Sequence, residues 1–409
     1  MKFHLLIISV IITLISCNQN QPGIEGLLYS DGTPVLITIK DGKISEIMRI
    51  GKPAEKNTGL YIAPGLIDNQ VNGFAGVSFA FGGGKLTGEG VIKATQELWK
   101  TGVTTYLPTL TTNSFEVLKK NFIILGRMKD DPSLLGSIAG FHLEGPYISP
   151  VDGYRGAHPL KYVRKPDWEE FSSLNEASGN NIIQVTVAPE TEGAMEFISK
   201  CVQNGIVVAL GHHNASAGLI TEAIDRGARL ATHIGNGCAN MINRHNNPLW
   251  PQLADDRLMI SIIGDGFHLN SEEIRVFFKV KGTEKTIITS DVTGFGSLPP
   301  GKYVTEEGDT IELTSAGMLT YPAQNVLYGS ASPLRKGVGN VMKVTGCSLG
   351  DAIRMASTNP AILYNLNDRG EIAIGKRADL IIFQIVDNEL VIRQTYVSGK
   401  LVYDFSKDR

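Results

Sequence analysis

Cysteine is scarce in this 409-residue chain. It has four: Cys17 near the start, then Cys201, Cys238 and Cys347, scattered and with no Cys-x-x-Cys pair. Three such isolated thiols argue against a disulfide framework and read as buried structural cysteines. Neither sign of charge is in excess. With 38 Lys and Arg against 41 Asp and Glu, the net charge of −3 makes no electrostatic case for nucleic acid. Past the N-terminus, no apolar run is long enough to cross a bilayer. Low-complexity tracts and short-period repeats are also missing. The remaining composition, 42% hydrophobic with 45 glycines, is that of an α/β protein.

One apolar run stands at the start, in "MKFHLLIISVIITLISCNQNQPG". Lys2 precedes an apolar stretch from 5 to 15, then Ser16 and Cys17. The stretch is short for a span and suits a signal-peptide core. "LISC" resembles the lipobox of bacterial lipoproteins, which implies lipidation of Cys17; the bland alternative is a plain signal peptide. The expected organisation is a signal segment at 1–17 and a tether at 18–22. The expected location is an exported, lipid-anchored lipoprotein facing the periplasm, touching the membrane only through its anchor.

Both ends of the remaining chain look like short strands with turns. Asp31-Gly32 and Asp41-Gly42 punctuate the first, and Asp387-Asn388 and Ser398-Gly399 the last. The expectation is a small β-sandwich domain built from 23–62 and 366–409. Between them, residues 63–365 alternate. Eight candidate strands, from "YIAPGLIDNQV" to "KTIITSDVTG", are separated by helical patterns such as "EGVIKATQELWKTG" and "SEEIRVFFKVKG". Eight β–α units predict an α/β fold of the (β/α)8 TIM-like barrel type. A doubly wound open sheet is the alternative.

A barrel builds its site at the C-terminal ends of its strands. All histidines but His4 fall between the third and seventh candidate strands: His142, His158, His212, His213, His233, His245 and His268. "FHLEGP", "LGHHNAS", "ATHIGN" and "TSDVTG" bring Glu144, His212, His233 and Asp291 to one rim. Two neutral imidazoles and a carboxylate suit Zn²⁺ with an open water position. Asp291 suits the base that takes a proton from water. The first strand is different. Barrel metal hydrolases often carry His-x-His there, whereas this chain has Gln70 and Asn72, and amides are poor transition-metal ligands.

The motifs "APGLIDNQVNG", "HLEGPYISP", "GAHP", "GHHNAS", "THIGN", "DGFHL" and "SDVTG" resemble, in order, those of N-acetylglucosamine-6-phosphate deacetylases of the amidohydrolase superfamily. The resemblance covers nearly the whole mature chain. It implies one divalent metal ion per site, most often Zn²⁺, with Fe²⁺, Co²⁺ or Mn²⁺ as further options. It implies Glu144, His212 and His233 as ligands, Asp291 as general acid/base and His158 as the group polarising the acetamide carbonyl. Ala157, Asn236, Gly237 and His268 match substrate contacts. Arg244 matches an arginine that reaches a phosphate from a neighbouring subunit, which implies a homodimer. Gln70, Asn72 and His142 are expected around the ligands, the two amides bonding the metal-bound water or the substrate; His213 and His245 are expected to be structural or solvated.

Around the sixth strand, "HIGNGCANMINRHNNP" departs from the family pattern, with Gly235, Gly237 and Cys238 leaving more room. Phe295 after "SDVTG" is also unusual. The expected reaction converts N-acetyl-D-glucosamine 6-phosphate and water to D-glucosamine 6-phosphate and acetate. Export leaves open a deacetylase of unphosphorylated N-acetylhexosamines or glycan fragments. An N-acyl amino acid hydrolase would use similar metal chemistry on a different leaving amine. A non-catalytic sugar-binding lipoprotein on the same barrel predicts loss of one of Glu144, His212, His233 or Asp291, and all four are present.

Overall fold

The computed structural model describes residues 23–79, 86–305, 308–323 and 326–407. The expected signal segment, Cys17 and the tether lie outside these residues. Eight parallel strands follow one another around a barrel: β1 (Leu66–Val71), β2 (Val103–Thr111), β3 (Phe141–Glu144), β4 (Ile182–Val187), β5 (Val207–Leu210), β6 (Leu230–Ala231), β7 (Met259–Ile263) and β8 (Thr286–Thr289). The ends of the sheet meet where Val71 bridges Val292 and the Asn72 N–H donates to the Val292 carbonyl at 2.7 Å. The barrel expectation holds. Every residue of β2 is buried, because side chains fill one face and helices cover the other.

The helices dock by one face. Gly88–Lys100 buries Val91, Ala94, Thr95 and Leu98, the spacing of a single helical stripe. The Thr87 hydroxyl caps it by accepting the Gly90 N–H at 3.0 Å. Phe115–Met128 follows the same plan, capped by Ser114.

The stretch "YIAPGLIDNQV", read from sequence as one strand, divides at Gly65. Tyr61–Pro64 pairs with Leu380–Val386 and Ile24–Leu28 outside the barrel, and β1 then enters it. Ala63 and Pro64, expected at the start of the barrel, thus pair in the sheet of the terminal domain. Strands from both ends join in one seven-stranded sheet, with Tyr61–Pro64 at its centre. Val35, Ile37, Ile44, Ile62, Leu380 and Ile382 form its separate core.

Three segments have no counterpart in the sequence reading. A four-stranded antiparallel sheet occupies 301–327 after β8. Helices Trp168–Ala177 and Leu334–Thr345 complete the outer layer. Among the described residues no helix is long and apolar enough to cross a membrane.

Candidate active site

The key side chains leave their strands by an unusual turn. His212, His233 and Asp291 lie just past β5, β6 and β8, and each has a positive φ, at 53°, 29° and 51°. Such backbone is disfavoured for residues with a Cβ and concentrates at functional sites. It aims all three side chains inward, which strand alternation alone does not do.

His233 Nε2 lies 3.0 Å from Glu144 Oε1, and His212 Nε2 lies 3.4 Å from the same oxygen. The two Nε2 atoms are 3.2 Å apart, and all three ligand atoms fall within 4.8 Å of one another. His212 Nδ1 donates to the Tyr154 carbonyl at 3.0 Å. A carbonyl only accepts, so Nε2 of neutral His212 carries the lone pair that a metal needs. Gly237 makes room for this ring. Its φ is 61°, and a Cβ there would lie 2.8 Å from His212 Nδ1. One carboxylate and two imidazoles, convergent and buried, fit a divalent transition metal. Burial opposes ionisation of Glu144, but the adjoining His212 and His233 imidazoles hold its carboxyl well below the usual range.

Gln70 on β1 and Asn72 just past it both donate to carboxylates of the site. Gln70 Nε2 donates to Glu144 Oε1 at 2.9 Å and to Asp291 Oδ1 at 2.8 Å. Asn72 Nδ2 donates to the same Asp291 oxygen at 2.7 Å. They therefore link the two carboxylates. Two buried carboxylates this close need neutral donors between them. Burial and the Glu144 charge push Asp291 up to about 6, against the pull of His233, His268 and Asn72.

His158 stands edge-on to His212, with ring centroids 4.4 Å apart. Its Nδ1 is 2.8 Å from Thr112 Oγ1. Burial above all, then the neighbouring His212, push its pKa down to about 3, so the ring is neutral at physiological pH. His268 donates from Nδ1 to Asp265 Oδ2 at 2.8 Å. A cavity of about 470 Å³ opens over the group, walled by Ala157, His158, Asn236, Gly237, Cys238 and His268, and roofed by Val326, Leu327 and Tyr328. That is a usual size for a small-molecule site. Asn236 Nδ2 is buried without a partner among the described atoms, a donor left for a ligand.

The remaining expected residues fall elsewhere. His142 bonds Thr186 Oγ1 at 2.8 Å, feels the Glu144 charge and does not line the cavity. His213 is buried away from the cavity, with Nδ1 accepting the Ala215 N–H. His245 is exposed. Arg244 is exposed too and does not line the cavity of its own chain.

The sequence reading missed Thr112, Asp265 and Glu273, the last of which lines the cavity. Asp265 had a signal, three residues before His268 in "DGFH". Thr112, inside "TLTTN", had none.

The Amidohydrolase family model matches residues 61–402. N-acetylglucosamine-6-phosphate deacetylase of Bos taurus is 33% identical over 86% of this chain and 85% of its own length. That of Lysinibacillus sphaericus is 27% identical over 89% and 92%. A mutant of N-acetyl-D-glucosamine-6-phosphate deacetylase from Mycobacterium smegmatis, solved in complex with N-acetyl-D-glucosamine-6-phosphate, superposes with a TM-score of 0.82 at 25% identity, covering 93% and 99%. Extent, identity and fold agree: the chain belongs to the N-acetylglucosamine-6-phosphate deacetylase family of amidohydrolases.

Proposed function

We propose that the chain hydrolyses the acetamide of N-acetyl-D-glucosamine 6-phosphate, releasing acetate and the amino sugar, as its relatives' names describe. The observation that carries this reading is the convergence of Glu144, His212 and His233 beside Asp291 in one cavity. Glu144, His212 and His233 would hold a divalent cation, for which zinc is the proposed identity, and such an ion would supply Lewis acidity toward water and the acyl oxygen. Asp291 accepts the proton of the attacking water. Both amides bind its Oδ1, so Oδ2 is the oxygen left for that proton. His158 donates a hydrogen bond to the oxyanion as it forms. Asp291 then passes its proton to the leaving amine, a task suited to a carboxyl poised near neutrality. Asn236, Gly237, Ala157 and His268 hold the sugar.

Two further proposals concern assembly and place. Arg244 lies on a loop with Met241, and its carbonyl accepts from Trp250 Nε1 in the helix that follows; Met241 and Trp250 are 91% and 53% exposed. Exposed apolar groups beside an outward arginine fit a homodimer in which Arg244 serves the partner's cavity. The N-terminal segment supports an exported lipoprotein anchored through Cys17.

A second reading rests on the cavity wall. Among its described lining residues there is no Lys or Arg, while Glu144, Glu273 and Asp291 are acidic. Among the described residues one chain thus offers a phosphate in this cavity no basic side chain beyond histidine, which favours an unphosphorylated N-acetylhexosamine unless a second copy supplies Arg244.

One experiment separates these readings. The chain from Asn18 onward is purified, its metal measured, and acetate release followed from N-acetylglucosamine with and without the 6-phosphate. Faster release from the phosphorylated sugar is expected. A faster rate on the free sugar selects the second reading. No metal and no acetate from either refutes both.

A further inference from the structure

We infer that Thr112 is a positioning residue that holds His158 with its ring proton on Nε2, aimed into the cavity; this rests on the deacetylase reading, in which that N–H meets the acetamide oxygen. Thr112 follows β2 and is 1% exposed. Its hydroxyl lies 2.8 Å from His158 Nδ1, its hydrogen-bond partner among the described residues. The hydroxyl hydrogen and the imidazole nitrogen can share this contact in two ways. If Nδ1 carried the proton, Nδ1 would donate and the buried hydroxyl hydrogen would have no acceptor, which is disfavoured. If the hydroxyl donates, both atoms are satisfied, and the single proton of the neutral ring must sit on Nε2.

The hydroxyl has little freedom to turn away. Gly145, next to Glu144, has a φ of 73°, and a Cβ on it would lie 2.3 Å from Thr112 Oγ1. The backbone beside the ligand carboxylate thus walls the hydroxyl against His158. The other end of His158 is also held: Arg155 Nη1 donates to the His158 carbonyl at 2.5 Å. Among the described residues no carboxylate hydrogen-bonds the ring, so none competes with Thr112 for Nδ1. The imidazole is fixed at its backbone and at Nδ1, and Nε2 is left for the cavity that His158 lines. Thr112 does not line the cavity. It acts through His158, choosing donor over acceptor at the atom where an oxyanion needs a donor.

Thr112→Val keeps the shape and removes the hydroxyl. The expected result is a fall in kcat of about 10- to 100-fold, with KM moving less than about threefold, and recovery to within about threefold in Thr112→Ser. The readout independent of turnover is the tautomer. In the full chain labelled with ¹⁵N-histidine, the His158 ring is assigned by its loss in His158→Gln. Wild type is expected to carry the proton on Nε2, and Thr112→Val to shift it toward Nδ1. A wild-type proton on Nδ1, or a Thr112→Val enzyme with unchanged kcat, overturns the inference. Should Thr112→Val fail to fold, the wild-type spectrum and Thr112→Ser still decide. A wild type that releases no acetate yet shows the Nε2 proton overturns the deacetylase reading and upholds the Thr112 assignment.

Discussion

Asn72→Ala removes one of the two amide donors on Asp291. The lost bond is short, 2.7 Å from Asn72 Nδ2 to Asp291 Oδ1, while Gln70 remains at 2.8 Å. A hydrogen bond to a charged group contributes about 1.5–3 kcal/mol. At about 1.4 kcal/mol per pKa unit, losing it raises the carboxyl by about 1–2 units when no water replaces the donor. Asp291 starts at about 6, lifted by burial and the Glu144 charge. The variant then titrates near 7 to 8, an order-of-magnitude figure from the same conversion. The base works ionised, so activity is lost on the acid side of this pKa. At pH 7 the ionised fraction falls from roughly nine-tenths to between a half and a tenth, by the same relation. The assay is kcat/KM against pH, which reports the free enzyme. Cation loading lowers both profiles together, so the difference between variant and wild type is the quantity to read. The acid limb should move up by about 1–2 units, with activity recovering above it. An unmoved or lowered limb, or a uniform loss at every pH, would refute the clamp as the means of tuning Asp291.

Asp291→Asn should lower kcat by about 100- to 10,000-fold while metal content, read by elemental analysis, stays at one ion per chain; retained activity would remove Asp291 from the mechanism. His212→Asn should cost metal first, with affinity falling at least about 10-fold and activity returning at high metal concentration; equal metal retention would contradict the ligand assignment. Asp68, buried beneath the site, is pushed up to about 6 by burial, against hydrogen bonds from Ser290, Gln70 and Thr289. Its folded pKa exceeds its unfolded one, so its stabilising effect is complete at low pH and is lost as pH rises through about 6. Asp68→Asn should therefore gain on wild type by up to about 3 kcal/mol between acid and mildly alkaline pH in denaturant unfolding. A pH-independent difference would show that Asp68 does not titrate as described.

The site was partly legible because its chemistry is local. Glu144, His212, His233 and Asp291 each close a short apolar run, and strand ends are where a barrel gathers functional groups. The helices at Gly88–Lys100 and Phe115–Met128 were legible through one buried stripe and a capping hydroxyl. The four-stranded sheet at 301–327 was not, since its strands are short and partly exposed, with little apolar alternation to mark them. Helix Leu334–Thr345 was hidden by Gly337 and Gly339, poor helix formers that packing overrides. The split of "YIAPGLIDNQV" at Gly65 was invisible because both halves are equally apolar, and only their pairing partners differ.

By itself, the sequence determined the residue types, their order along the strands and the absence of a histidine pair on the first strand. It therefore pointed to eight β–α units and to the donor set, which follow from periodicity and from the chemistry of single side chains, while closure of the sheet into a barrel was left to the structure. Tertiary structure decided what each donor touches. Left-handed turns at His212, His233 and Asp291 converge on one point, and Gln70 spans the two carboxylates. Thr112 meets His158 across 46 residues. Hydrogen bonds depend on distances of a few tenths of an ångström between distant parts of the chain. No local pattern encodes those distances.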